Sequence, residues 1–478
     1  MVARPLQWVP MRNAAQLGLF ALLLAYLIWV PMPFGSASDA SQPLLIIPAL
    51  LIGAAAALLR SAGPPFAQTR PGRLWITGGV LFVLVIVLQL VPLPMPILSV
   101  LSPQSAAIWG RATRLATLAG VPAPAFHPIS IDPEQTALHL YRALAYFATF
   151  LSSMILVRDN GRRMVLAAVL ACMGVFEALY AVHESVIGRY SIWGWKNTLI
   201  FGRATGTFVN PNHFANYAAI LLPMALYVSA YAWHTAAPAG ATFSRRFVKL
   251  VERRFVPFSF GLLAALGCIT AVLVSESRGA MLAIIGGFAI VGALASDKEH
   301  MLARGLLIAV AASAAIVAAI VVLGHSETLT RFENSRPSQL SARRASIAGA
   351  FRIWERFPIF GSGAGTYEDV VLMTRATSSD VMANHAHDDY AEILATTGAL
   401  GLVVSLVPFL GGFASLARNA FGPGGEAMSW RRRVFKMAAL TSIAIAMIHA
   451  LVDFNFFIPA NSITLAAIAG AAVVARES

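Results

Sequence analysis

Long apolar runs separated by short polar links fill this sequence, and that pattern leaves few folds open. A run of about 20 apolar residues is what an α-helix needs to cross the hydrocarbon core of a bilayer. Twelve such stretches can be marked, at roughly 14–34, 43–60, 74–94, 136–157, 164–186, 212–233, 256–275, 279–296, 303–324, 390–416, 434–452 and 461–475. Composition agrees: 58% of the 478 residues are hydrophobic and 12% charged, against about a quarter charged in soluble domains. Two cysteines exclude a disulfide framework and a cysteine-rich metal site. Both, Cys172 and Cys268, fall inside expected spans. The reading is an all-α polytopic membrane protein of about twelve transmembrane helices, without a soluble domain or internal repeat.

The 35 basic against 22 acidic residues give a net charge of +13, which in a soluble chain would suggest nucleic acid. In a membrane protein the placement of charge matters more than its sum, and no nucleic-acid partner is expected. A cytoplasmic N-terminus puts the groups Arg4/Arg12, Arg158/Arg162/Arg163, Arg245–Arg254 and Arg431–Lys436 on cytoplasmic links. The first outer loop, about 35–42, then has no basic residue. Both termini are expected in the cytoplasm. The first span starts after basic residues and precedes Ser36-Ala37-Ser38. Its apolar core of about 20 residues exceeds that of a signal peptide, so it reads as a retained anchor.

The outer face carries arginines that the positive-inside rule disfavours: Arg189, Lys196, Arg203, Arg278, and a series from Arg331 to Arg375 in a long loop at 325–389. That rule counts short loops only, so for the long loop a functional and a neutral reading both stay open. Arg278 lies in Ser275-Glu276-Ser277-Arg278-Gly279, a tight link between two apolar spans. A charge so placed usually faces a polar cavity or a partner: it reads either as a pair with Glu276 or a side chain reaching to headgroups, or as a fixed cation at the floor of an outward-facing site. Arg203 belongs to Gly202-Arg203-Ala204-Thr205-Gly206-Thr207-Phe208-Val209-Asn210-Pro211-Asn212-His213. There Asn210-Pro211 breaks helix, and the start of the next span beside an arginine is a candidate anion site. Asn210 and Asn212 are its candidate substrate contacts, beside an architectural role.

A third cluster is Asn384-His385-Ala386-His387-Asp388-Asp389-Tyr390-Ala391-Glu392. Two histidines two apart on a helix do not face one another, so no metal site is assigned. A histidine beside a carboxylate suits proton transfer near neutral pH, with Asp388 or Glu392 as the group that orients His387. Residues Ser341–Phe357 read as a helix on the membrane surface, with Ile347, Phe351 and Trp354 on its apolar face and arginines opposite. Gly361-Ser362-Gly363-Ala364-Gly365 is similar to a phosphate loop, but no strand precedes it, so it reads as a turn. His449, Asp453 and Asn455 come out on one face near the end and read foremost as a capped polar turn.

Arg203, Arg278 and His387 thus converge on one face, where no nucleotide is at hand and a preactivated donor is needed. Two arginines suit a lipid diphosphate, and a histidine suits deprotonation of an incoming hydroxyl. At these residues the sequence resembles the O-antigen ligase/polymerase family of bacterial membrane glycosyltransferases. The similar stretches are GRATGTFVNPNHFANYAAILLPMAL, SESRGAML, FPIFGSGAGTY with the helix before it, and NHAHDDYAEILATTGALGL, over about 187–402. Asp388 stands where ligases of the family usually have Asn, Ser or Gln.

The resemblance implies a C-type glycosyltransferase-like fold in the bacterial inner membrane, active at the periplasmic face. It implies transfer of a glycan from undecaprenyl diphosphate to an acceptor hydroxyl on a growing glycan or lipid A core, without metal or other cofactor and with inversion. Arg203 and Arg278 would hold the diphosphate and His387 would be catalytic, with Asn210, Asn212, His385 and Asp388 near the substrate. The chain divides into N-terminal helices (1–186), a catalytic region (187–402) and C-terminal helices (403–478). The rivals are a secondary transporter of an anionic solute and a non-catalytic polysaccharide-assembly partner.

Overall fold

The computed structural model describes residues 8–59, 69–196, 202–295, 337–374, 384–422 and 428–474. They form a helical bundle that opens with α1 (Trp8–Trp29), α2 (Gln42–Leu58), α3 (Arg70–Leu90) and the short α4 (Met95–Leu101) and α5 (Pro103–Leu118). Next come α6 (Pro133–Leu156), α7 (Asn160–Val186), α8 (Pro211–Ala236), α9 (Phe243–Arg253), α10 (Phe255–Val274) and α11 (Arg278–Leu294). The chain then forms α12 (Pro337–Arg356), α13 (Tyr367–Thr374), α14 (Asp389–Phe421), α15 (Trp430–His449) and α16 (Pro459–Ala472). Helices lie over eleven of the twelve expected stretches, and the ninth, 303–324, is outside the described residues. Arg331, Arg336 and Arg375 of the long loop are outside them too.

Among the described residues α3, α7, α8, α10 and α14 are long and apolar enough to cross a membrane, and α2 and α11 are shorter apolar helices. On these, large apolar side chains such as Leu51, Leu84, Leu263 and Val407 are exposed, the surface that lipid, rather than water, can cover. The chain is a polytopic helical membrane protein. α8 sits at its centre, packed against α7, α10 and α15, while α11 packs on α15, α16 on α6, and α3 on α14.

Local chemistry sets where the helices begin. Asp132 caps α6 through the amides of Glu134 and Gln135, Asp159 caps α7 through Arg162, and Asp388 caps α14 through Tyr390 and Ala391. Asn210 caps α8 with Pro211 as the first helical residue, where its missing N–H costs nothing. That cap occupies the first amides of α8, so what this segment offers an anion is side chains, Arg203 and Asn212. Asn210 Oδ1 takes the amide of Asn212, and its carbonyl takes those of His213 and Phe214, so the helix start serves itself.

α12 forms over the predicted segment, and beside the expected stripe, of which Ile347 packs inward, it buries a face of smaller residues. Ser346, Ala350, Ile353 and Phe357 are buried, with Tyr367, Val370, Ala391 and Ala395 in the same cluster. Phe351, expected on the apolar face, is exposed. The small residues Ser346 and Ala350 allow close approach to α14, which decides the helix rotation over the bulkier stripe.

The glycine-rich turn is structural. α14 is broken at Gly398, where φ is 69° and ψ −178°, and the turn seats in that break. Ser362 and Gly363 donate to the carbonyls of Ala395 and Thr396, while Ala399 and Leu400 donate to those of Pro358 and Ile359. Gln89 of α3, fully buried, donates to the Phe360 and Thr396 carbonyls and accepts from the Ala364 amide. The amides a phosphate loop would offer are already used.

Candidate functional site

The site forms where α7, α10 and α15 end and α8, α11 and α14 begin. Arg203 is held by its own strand of chain: Thr207 donates through its amide and hydroxyl to Glu177 of α7, and Ala204 donates to the Val274 carbonyl. Its guanidinium donates from Nε to the Ser275 carbonyl at 2.8 Å and from Nη2 to Asn212 Oδ1 at 3.0 Å. Arg278 is the first residue of α11, after the capping Ser277. The positive end of that helix dipole therefore points the same way. Glu276, just before it, has φ 53°, a left-handed conformation uncommon outside glycine.

These groups line one cavity of about 80 Å³ with Asn212, Ser277, Gly279, Arg343, His449, Val452 and Asp453. Gly279 is required by close approach: a Cβ there would meet the His449 ring at 2.8 Å. His449 is buried, with Nδ1 3.1 Å from Asn216 Oδ1. Arg343, from α12, donates to the Val452 carbonyl at 3.2 Å and lies 3.9 Å from Asp453 Oδ2.

Asp453 joins the cavity to the histidine cluster. It is 1% exposed, accepts from Asn212 Nδ2 at 2.8 Å, and has His387 Nδ1 3.3 Å from Oδ1. His213 Nε2 is 3.7 Å away, an electrostatic neighbour beyond hydrogen-bond reach. Burial alone would raise this carboxyl, but the imidazoles of His213 and His387 hold it well below the usual carboxylate range. His387 itself has φ 56° and is about one-third exposed, at 32%.

Asp389 explains how residues so far apart in sequence meet. Fully buried at the start of α14, it accepts from the Phe456 amide, and its own amide donates to the Ala450 carbonyl. The link between α15 and α16 is thereby locked against the His387 segment.

The predicted site residues separate accordingly. Arg203, Arg278 and Asn212 line the cavity, and His387 reaches it through Asp453. The carboxylate set against His387 is Asp453, in place of the expected Asp388 or Glu392. Asp388 is occupied as a helix cap and is raised above its ordinary value by burial. Glu392 instead accepts from the Ala386 amide and holds His385 Nδ1 at 2.8 Å. Burial disfavours a charged imidazole at His385, yet Glu392 outweighs it and raises that histidine above its ordinary value. His385 also stacks on Phe454, ring centroids 4.0 Å apart. Asn210 acts in the structure as the cap of α8.

Sequence reasoning missed Arg343, one arginine among several in the long loop, and the reach of Asp453. The signal for Asp453 was present, since it had been grouped with His449 and Asn455 on one face.

Three arginines around a small cavity, with a histidine–aspartate pair at its edge, are groups that can hold an anion and exchange a proton. Residues 263–406 match the family model described as O-antigen ligase. No curated protein matches the chain. The matched segment contains Arg278, Arg343 and His387, whereas Arg203, Asn212 and Asp453 come from outside it.

Proposed function

We propose that the chain is a glycosyltransferase of polysaccharide assembly that moves a glycan from undecaprenyl diphosphate to an acceptor hydroxyl. One observation carries the reading: Arg203, Asn212, Asp453 and His387 are linked contact by contact, so the anion cavity and the histidine act as one site. Arg203, Arg278 and Arg343 neutralise the diphosphate, which carries growing charge as it leaves. His387 donates from Nδ1–H to Asp453, and Nε2 is left with its lone pair as base.

The acceptor oxygen forms the new bond to the anomeric carbon, and the bond from that carbon to the diphosphate oxygen breaks. The electron pair departs with the diphosphate, the acceptor proton passes to His387 Nε2, and the anomeric centre inverts. No metal or cofactor enters these steps.

We read twelve spans with both termini in the cytoplasm of a bacterial inner membrane and the cavity at the periplasmic end. The opposite end of the bundle supports this, since Arg158 between α6 and α7, Arg162 and Arg163 in the first turn of α7, the basic α9, and Arg431–Arg433 all lie there. The test uses purified protein, an undecaprenyl-diphosphate oligosaccharide and EDTA, with transfer followed by gel. A ladder of products identifies a polymerase, and a single transfer to lipid A core identifies a ligase. Loss of either in Arg278→Ala and His387→Ala supports the site. Transfer that survives both substitutions overturns it.

A further inference from the structure

A second, larger opening lies on the far side of the histidine cluster. It is a groove of about 360 Å³ between α3, α6, α14 and α16, and its walls include Trp75, Phe82, Phe147, Phe150, Phe409 and Ala466. From His139 to Phe150 on α6, and from Trp75 to Ile86 on α3, it runs roughly 16 Å at 1.5 Å per residue. That shape fits a hydrocarbon chain lying along the helices.

One end of the groove is polar. Arg142 and His139 line it there, and Arg142 Nε donates to Gln42 Oε1 at 2.8 Å, at the start of α2. Arg142, held there by Gln42, gives the wall of an otherwise apolar groove one fixed positive charge, complementary to an anionic head group.

The groove and the arginine cavity are separated by the link between α15 and α16. Phe457 of that link lines the groove, while Phe454 packs edge-on against His387, centroids 5.1 Å apart, and stacks on His385. That link thus borders the groove through Phe457 and touches His387 through Phe454. Displacement with inversion needs the hydroxyl and the leaving diphosphate on opposite faces of the sugar.

We propose that this groove holds the hydrocarbon anchor of the acceptor glycolipid, with a head-group phosphate on Arg142. The proposal rests on the transferase reading for the word acceptor, and its geometry is independent of it: one cation and an apolar channel bordered by the α15–α16 link, which also touches His387, and lined by none of the three arginines of the cradle.

The test is direct labelling without turnover. Full-length His387→Ala protein in nanodiscs is irradiated with phosphatidic acid carrying a diazirine in its acyl chain, and the adducts are mapped by peptide. The expected result is labelling of α6 and α14 around Phe147 and Leu406. Labelling falls at least fivefold in Arg142→Gln and in the groove-filling Ser405→Trp, is retained in Arg142→Lys, and is unchanged when Arg278→Ala is added. Labelling indifferent to Arg142→Gln marks ordinary bilayer contact and overturns the proposal. Labelling lost with Arg278→Ala marks the groove as the donor's tail site and overturns it as well. In active protein, Ser405→Trp raises the acceptor KM at least tenfold with kcat retained; an unchanged KM also overturns the proposal. If labelling behaves as expected while no transfer occurs, the transferase reading fails and the claim of an acceptor falls with it, leaving an anionic-lipid site.

Discussion

His387 Nδ1 lies 3.3 Å from Asp453 Oδ1, across 66 positions of sequence. The carboxylate is buried, and Asn212 takes its other oxygen. A residue so placed fixes which ring nitrogen of the histidine faces the substrate. In Asp453→Asn the shape survives while the charge is lost and the amide can present a donor to Nδ1. Transfer is expected to fall about 10²–10⁴-fold, the range of a general base. Binding of undecaprenyl diphosphate, measured by calorimetry in detergent, is expected to be retained or tightened, because the variant removes a negative charge from the wall of the cavity. Unchanged transfer would remove Asp453 from the mechanism.

Arg278 makes a second prediction, because a guanidinium and an ammonium differ at a diphosphate. Arg278→Ala is expected to lower the transfer rate by about 10²-fold or more. Arg278→Lys recovers part of that loss, since lysine keeps the charge and loses the bidentate fork. Initial rates at saturating acceptor decide it, and a lysine variant equal to wild type would show that charge alone matters.

Much of the architecture was legible because membrane helices announce themselves by length and apolarity, and their starts by Asp, Asn and Ser caps. Arg203, Arg278 and His387 were legible as polar groups out of place at the ends of apolar runs. What was not legible depended on contacts between distant segments. Asp388 and Asp389 are adjacent in sequence, yet one caps α14 and the other grips the α15–α16 link. Nothing in their order says which carboxylate will face His387. The buried face of α12 was not legible because it is made largely of small residues, Ser346 and Ala350, which no apolar stripe announces.

Gly398 provides a test of the fold independent of function. Its φ of 69° is left-handed, and a Cβ would collide with the Ile359 backbone in the turn seated against it. Gly398→Ala is expected to destabilise the protein by about 2–4 kcal/mol, read as a lowered apparent Tm in detergent. Gly110, in α5, has open space around its Cα. Gly110→Ala is expected to be neutral or stabilising by about 0.5–1 kcal/mol. Equal effects of the two would contradict the seated turn.

Protonation of His385 gives the last prediction, and its sign follows from the direction of the shift. Beside Glu392 the folded-state pKa lies above the ordinary histidine value of about 6.5. The pair's contribution to stability is then fully present below about pH 6.5 and is lost as pH rises through the raised folded value. Asp453 acts in the opposite sense, because its carboxyl is depressed. Its contribution is present above about 3.9, the unfolded carboxylate value, and disappears only as pH falls through the folded one. These two contributions are both present between about pH 4 and 6.5, and that of His385 declines on the alkaline side. His385→Gln keeps a polar side chain that can still meet Glu392 and has nothing to titrate, so its alkaline decline is expected to flatten. A variant that keeps the wild-type slope between pH 6.5 and 9 would assign that decline to another group.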